Sequence, residues 1–477
     1  VSYRDFIARK AAIAVPTGIT TALDLPAALA PFQADIASWS CRRGRAAVFA
    51  DTGLGKTRMG LAWGREVVRH TRGRVLILAP LAVAQQTADE GAFIGIPVTV
   101  CRDGADVPDE PGISITNYDR LHRFDPSMFA GVILDESSCI KHHDAKTLRT
   151  LLDAFRDTPF RLCETATPAP NDHAELGTHA EFLGVCTRAE MLAEFFRHDG
   201  GDTQTWRLKR HARKVFWRWV ASWAALVRRP SDLGYSDDMY NLPPLSVHEH
   251  LTAAPVETYR NAGFLFPVEA RTLTERRNAR KASTDDRVAA CAEMVNGESG
   301  EPWVVWCDLN AESDALARAI PGAVEIRGSM DLDAKEQALK DFAAGRTRVL
   351  VTKPSITGFG LNWQHCARTA FVGVTDSWEA YYQAVRRFWR FGQRRAVDVH
   401  VFASEAEGAV IANLKRKEAD AAKLGEELAR ETGEAVRAEI CGMTRTVNEY
   451  QPAVRMTVPA WLESETDGNG TTKENAA

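Results

Sequence analysis

Ala50-Asp51-Thr52-Gly53-Leu54-Gly55-Lys56-Thr57 is the stretch that decides how the rest of this chain is read. The apolar run Ala46 to Ala50 leads into it and reads as a strand, and a helical pattern follows from Thr57 to about Val68. Strand, glycine turn and helix are the context that a phosphate-binding loop requires. Glycines let backbone N–H groups face phosphate oxygens, and the new helix offers the positive end of its dipole. Gly53 and Gly55 supply the turn, Lys56 would reach the β- and γ-phosphates of a nucleotide, and Thr57 would hold Mg²⁺. The strict pattern wants Gly at position 50, where this chain has Ala. The flanking strand and helix set the loop apart from an ordinary glycine turn.

Upstream, Pro31-Phe32-Gln33 opens an amphipathic helix through Trp39. A Gln one helix and one strand ahead of the loop can donate to and accept from an adenine at once. The plain alternative is a surface Gln. Downstream, Val75–Ala79, Val98–Cys101, Ile113–Thr116 and Val132–Leu134 read as strands, the last ending in Asp135-Glu136-Ser137-Ser138. Carboxylates at the C-terminal end of a parallel strand face the ligand crevice of an open α/β sheet. Asp135 would bind Mg²⁺ through water, and Glu136 would orient or deprotonate the attacking water. An acidic pair after a strand is commonly a solvated turn; its spacing from the phosphate loop is that of a Walker B carboxylate pair. The next strand, Arg161–Glu164, ends in Thr165-Ala166-Thr167-Pro168. The Thr165 and Thr167 hydroxyls would link the γ-phosphate state to a neighbouring lobe, although a Thr/Pro turn explains them as well.

This order of Gln, G-x-G-K-T, D-E-S-S and T-A-T-P resembles lobe one of a superfamily-two helicase. Gly53-Leu54-Gly55-Lys56-Thr57, Thr167-Pro168 with Asn171, and Glu175-Leu176 resemble its Swi/Snf-like branch, of a phage or bacterial DEAD/DEAH-box type. The resemblance implies an ATP-driven motor on double-stranded DNA. A second α/β alternation begins near Asp286, with strands at Trp303–Cys307, Ala323–Ile326, Val349–Thr352 and Thr369–Val374. Gly358-Phe359-Gly360-Leu361-Asn362 resembles the family's fifth motif, which would bring Gly358 to the nucleotide. Gln383-Ala384-Val385-Arg386-Arg387-Phe388-Trp389-Arg390-Phe391-Gly392-Gln393 resembles its sixth. Arg387 and Arg390 share a helix face. Two guanidiniums aimed at a γ-phosphate would stabilise the transition-state charge. By the resemblance they are finger residues supplied by lobe two, and Gln383 serves coupling. Ser138 and Trp389 depart from the family pattern, each standing where relatives have His.

Between the halves, Arg207, Lys209, Arg210, Arg213 and Lys214 crowd a segment without acidic residues, interleaved with Trp206, Trp217, Trp219 and Trp223. Its basic face would contact nucleic acid or simply be solvated. The helical stripe Phe216, Trp219, Val220, Trp223 favours core for those aromatics. The net charge of −4 means that any polyanion must be met by such a local surface. Nine scattered cysteines with no C-x-x-C pair fit a reducing cytoplasm, bacterial or that of a phage's host.

The expected fold is α/β: two tandem RecA-like P-loop lobes, parallel sheets with helices on both faces, with a helical insertion between them and a helical C-terminal tail. Residues 1–30 read as an arm, 31–186 as lobe one, 187–285 as insertion and linker, 286–438 as lobe two, and 439–477 as a partly disordered tail. The Ala/Glu/Lys/Arg-rich run from Ser404 to about Glu439 reads as a brace for lobe two. ATP and Mg²⁺ are the expected ligands and double-stranded DNA the favoured partner. A strand-separating DNA or RNA helicase shares every motif named, and an ATP-gated binding subunit without productive hydrolysis is the rival of another class.

Overall fold

The computed structural model describes residues 14–80, 83–140, 146–169, 172–199, 202–253, 278, 280–357, 362–373, 377–405, 412–413, 415–419, 433–434 and 436–440. Asn171, Gly358 and the polar end of the chain lie outside these residues. Lobe one is built on β1 (Arg45–Ala50), β2 (Arg74–Ala79), β3 (Val98–Val100), β4 (Ile113–Asn117), β5 (Phe129–Asp135) and β6 (Phe160–Thr165). An antiparallel hairpin of β7 (Phe196–Asp199) and β8 (Asp202–Leu208) precedes β9 (Ala224–Val227). The sheet runs β3-β4-β2-β5-β6-β1-β9. All its pairings are parallel, so its strands need connections long enough for helices and are covered on both faces.

The sequence shows that double burial as continuous apolar runs. In β1, Ala47 and Phe49 belong to one core, while Ala46, Val48 and Ala50 belong to the core on the opposite face. Alternate Cβ directions along a strand give this division. The helix Lys56–Thr71 covers the second face with Met59, Trp63 and Val67.

Lobe two repeats the plan with β10 (Leu245–Thr252), β11 (Trp303–Trp306), β12 (Val324–Glu325), β13 (Val349–Thr352), β14 (Arg368–Phe371) and β15 (Val397–Ser404). Its order is β10-β15-β14-β11-β13-β12, again parallel throughout. Val304 and Trp306 face one core, Trp303 and Val305 the other. Two RecA-like lobes therefore stand in the chain as expected. Among the described residues no helix is long and apolar enough to cross a membrane.

Two expectations need correction. The described residues of 187–285 are not a helical insertion apart from the sheets. Strand β9 pairs with β1 at the edge of sheet one, and β10 pairs with β15 at the edge of sheet two. Four buried residues, Ala224-Ala225-Leu226-Val227, are too short a run to announce a strand beside a Trp-rich helix. The described residues between 404 and 440 also do not brace lobe two alone. Lys415 meets Glu249 of lobe two at 2.5 Å, but Val436 is buried in the core of lobe one. Beside it, Arg437 bonds the carbonyls of Ser231 and Asp232, and Glu439 pairs with Arg43.

Candidate active site between the two lobes

Strands β5, β6 and β1 are neighbours in one parallel sheet, so their C-terminal ends lie side by side. The register pairs Asp135 with Glu164 and Phe49 with Thr165. That alignment brings the Asp135-Glu136 pair, the Thr165–Thr167 turn and the glycine loop to one crevice. Gly53 and Gly55 take φ of 90° and 83°, a left-handed region that glycine enters without strain. Lys56 Nζ donates to the carbonyls of Ala50 at 2.9 Å and Asp51 at 3.4 Å, which holds the ammonium over the loop.

Gln33 braces this loop. Its Nε2 donates to the Leu54 carbonyl at 2.8 Å and its Oε1 accepts from the Ala30 N–H at 3.0 Å. A Cβ at Gly55 would lie 2.3 Å from Gln33 Nε2, so only glycine allows that approach. One donor and one acceptor of the amide are thus committed inside the protein, although Gln33 also lines the cavity described below.

The carboxylates are electrostatically strained. Burial and the adjoining Glu136 push the Asp135 carboxyl up to about 7, against the pull of Lys56 and Arg387. Burial likewise pushes Glu164 well above the usual carboxylate range, with Asp135 adding to it. Glu136 itself has φ 52°, an unusual value for a non-glycine residue and a mark of functional sites. Its Oε2 accepts from Thr165 Oγ1 at 3.5 Å. Thr165 Oγ1 in turn accepts from the Thr167 N–H at 3.1 Å.

Lobe two closes the site through the helix Trp378–Val385 and the turn that follows it. Gln383 Nε2 donates to Thr167 Oγ1 at 3.3 Å, so these two expected coupling residues touch across the lobes. Gln383 also orients Arg387: its carbonyl accepts from Arg387 Nε at 3.1 Å and its Oε1 from Nη2 at 3.3 Å. Burial pulls the Arg387 guanidinium down to about 9, while Glu136 and Asp135 favour its charge. Arg390 is pulled down to about 10 by burial, again opposed first by Glu136. Both expected finger residues therefore lie within electrostatic reach of both expected lobe-one carboxylates.

A cavity of ≈ 890 Å³ opens between the lobes, a size suited to a nucleotide. Gln33, Gly53, Gly55 and Thr57 line it from lobe one, Arg390 and Phe391 from lobe two. Aromatic rings gather there: Tyr240 stacks on Phe391 at 5.0 Å and meets Phe32 edge-on at 5.4 Å. Tyr240, Phe391 and the P-loop residue Asp51 carry no role in the reading of the sequence. Nothing local in the sequence singles out Asp51 or Tyr240, because each gains its partners only when distant segments fold together.

The basic segment stands apart from the cavity. Arg207, Arg210 and Lys214 are exposed, and Arg213 is half-buried. Lys209 Nζ instead bonds the carbonyls of Ala193 and Glu194 at 2.9 and 2.8 Å, capping the end of the helix Arg188–Phe195. Trp219 and Trp223 are buried in the core of lobe one, as their stripe indicates, and Trp217, outside the stripe, is buried with them.

Residues 286–392 match the helicase conserved C-terminal domain. The chain is similar to the pre-mRNA-splicing ATP-dependent RNA helicase PRP28 of Gibberella zeae, 28% identical over 160 residues. That match covers 32% of this chain and spans about a fifth (21%) of the curated relative's length. Among solved structures it is similar to the Sulfolobus solfataricus SWI2/SNF2 ATPase core in complex with dsDNA. There the identity is 17% and the TM-score 0.40, over 80% of this chain and 89% of that one. The helicase conserved C-terminal domain thus falls on lobe two, the second of twin parallel-sheet lobes through which the motif series runs in order.

Proposed function

We propose that the chain is a Swi/Snf-like motor that hydrolyses ATP between its lobes and translocates on double-stranded DNA. The observation that carries this reading is the approach of Arg387 and Arg390 from lobe two to Glu136 and Asp135 of lobe one. Such an approach makes each lobe half of a site. In this reading Lys56 binds the β- and γ-phosphates, and Glu136 orients and deprotonates the attacking water. Arg387 and Arg390 stabilise charge that develops on the transferred group. The Thr167–Gln383 contact transmits the state of the site between the lobes. Tyr240, Phe391 and Phe32 offer apolar ring surface to the base.

The donor set fits a divalent cation. A Thr57 hydroxyl and an Asp135 carboxylate are hard oxygen ligands, and Asp135 is a buried acid whose charged form needs a cation. Thr57 and Asp135 would hold Mg²⁺, which supplies charge neutralisation on the phosphate oxygens when bound.

ATP turnover measured with single- and double-stranded DNA and RNA tests the proposal. We expect duplex DNA to stimulate most and to support triplex displacement; no stimulation by any nucleic acid would overturn the motor in favour of an ATP-gated binding subunit. The rival reading is strand separation; the antiparallel β7–β8 pair sets a half-buried Trp206 against His198, ring centroids 3.7 Å apart with planes tilted by 39°. Unwinding of a tailed duplex without triplex displacement would select it.

A further inference from the structure

Lobe two touches the glycine loop directly as well as facing the carboxylates. Asp51 Oδ1 accepts from the Tyr382 hydroxyl at 2.6 Å, and Asp51 Oδ2 pairs with Arg386 Nη2 at 3.2 Å. The Arg386 guanidinium lies over the rings of Tyr382 at 5.0 Å and Trp389 at 4.6 Å and is nine-tenths buried. Trp389 is fixed in turn by its Nε1, which donates to the Pro243 carbonyl at 2.7 Å. On the loop side, Asp51 is anchored by its own N–H, which donates to the Val227 carbonyl at 3.0 Å. Backbone follows the same path: a Cβ at Gly53 would lie 2.8 Å from the Phe391 nitrogen.

These contacts are separate from the arginine pair. Arg386 points to the loop, while its neighbours Arg387 and Arg390 lie toward Glu136. Burial opposes the Asp51 charge, yet Arg386, Tyr382, the Thr52 N–H and Lys56 together hold its carboxyl below the usual value. The pair therefore stays ionised across the working range. A buried, hydrogen-bonded ion pair of this kind fixes geometry strongly, because removing one partner strands the other.

We infer that Asp51, Tyr382 and Arg386 form an interlobe latch that positions the arginine pair over the carboxylates. Arg386 immediately precedes Arg387 and stands four residues before Arg390 in the turn that follows the helix Trp378–Val385, outside any shared helix face, so anchoring it to Asp51 fixes where both guanidiniums stand. The latch joins protein to protein, so it holds the lobes together without nucleotide. The three are positioning residues, and the inference rests on the two-lobe ATPase reading above.

The test uses the full chain with Arg386→Gln, Tyr382→Phe, Arg386→Lys and the double variant Arg386→Gln/Tyr382→Phe. Thermal melting and circular dichroism verify folding. Small-angle scattering of the nucleotide-free chain should show a larger radius of gyration for Arg386→Gln than for the parent, with Arg386→Lys between them. Turnover should fall at least about tenfold in kcat for Arg386→Gln, with KM for ATP within about threefold, and Arg386→Lys should recover part of it. The double variant should be little worse than Arg386→Gln, because both changes open one latch. An unchanged radius of gyration in the Gln variant, or independent losses that multiply in the double variant, would overturn the latch. The scattering measurement needs no turnover. If the parent chain itself hydrolyses no ATP, the ATPase reading fails while the scattering still decides whether the lobes are latched.

Discussion

Glu136 occupies a left-handed conformation (φ 52°) at the end of a strand whose last residue, Asp135, is already driven toward protonation. Strain of this kind is on the order of 1–3 kcal/mol and persists where the surroundings over-determine it. We expect Glu136→Gln to keep the fold and ATP binding while lowering kcat at least about 10²-fold, as a lost general base does; single-turnover kinetics with a filter-binding assay check both halves. Lys56→Ala and Arg390→Ala should each abolish stimulated turnover with folding retained, and near-normal turnover in Arg390→Ala would sink the two-lobe site. Another residue reports through pH. His179 is buried and its Nε2 faces Ser137 Oγ at 3.1 Å; burial pulls its pKa down to about 4. Between pH 6.5 and 4 the unfolded chain binds a proton that the folded chain refuses, so stability falls as pH drops through that window. The contribution is on the order of 3 kcal/mol. His179→Gln should flatten the urea-unfolding free energy over that interval relative to the parent. At this scale the loop, the acidic pair and the arginine pair were legible because each sits in a fixed local spacing. Asp51, Tyr382 and Arg386 were not, since their meaning is a contact between positions more than 300 residues apart.

Elements were legible where the pattern is long. Strands β1, β2, β4 and β11 are apolar runs bounded by turns, and the sequence places them within a residue or two of their ends. One edge of each sheet escaped. Strand β9 is hidden behind a Trp-rich helix, and β10 is largely polar, with Ser246, His248, Glu249, His250 and Thr252 among its eight residues and much of it exposed. Its sequence Val247-His248-Glu249-His250 reads as linker until β15 provides a ladder to pair with. The segment from Trp206 to Arg229 divides by face. Phe216 packs against Phe195, Phe196, Trp217 and Trp219, so these rings form a structural cluster. Trp223→Ala should destabilise lobe one by about 3–5 kcal/mol, read as a lowered urea midpoint. Lys214→Ala and Arg210→Ala should change stability by less than about 0.5 kcal/mol. If this face grips phosphates, those two changes weaken DNA binding and reduce its salt dependence, whereas Lys209, tied to helix carbonyls, affects folding first.

At the scale of the molecule, the two-lobe plan followed from repetition: two alternations of strand and helix, each ending in its own motif set. What could not be read is where residues 436–440 pack. The chain leaves lobe two after β15, yet Val436 is buried within lobe one and Glu439 pairs with Arg43 there. Ending the chain at Ser404 removes that burial, and we expect a loss of about 1.5–3 kcal/mol from lobe one, seen as a lower melting temperature. The same feature bears on what a single cut in the backbone can do. The polypeptide passes from one lobe to the other before β10 and returns after β15, so with a break in residues 254–277 each lobe holds residues from both sides of it. A protease nick in residues 254–277 would leave a carboxyl-terminal fragment with its own anchor in the amino-terminal one. The halves should copurify and complement each other as a split protein, and shortening the second fragment to Ser404 should weaken that reassembly.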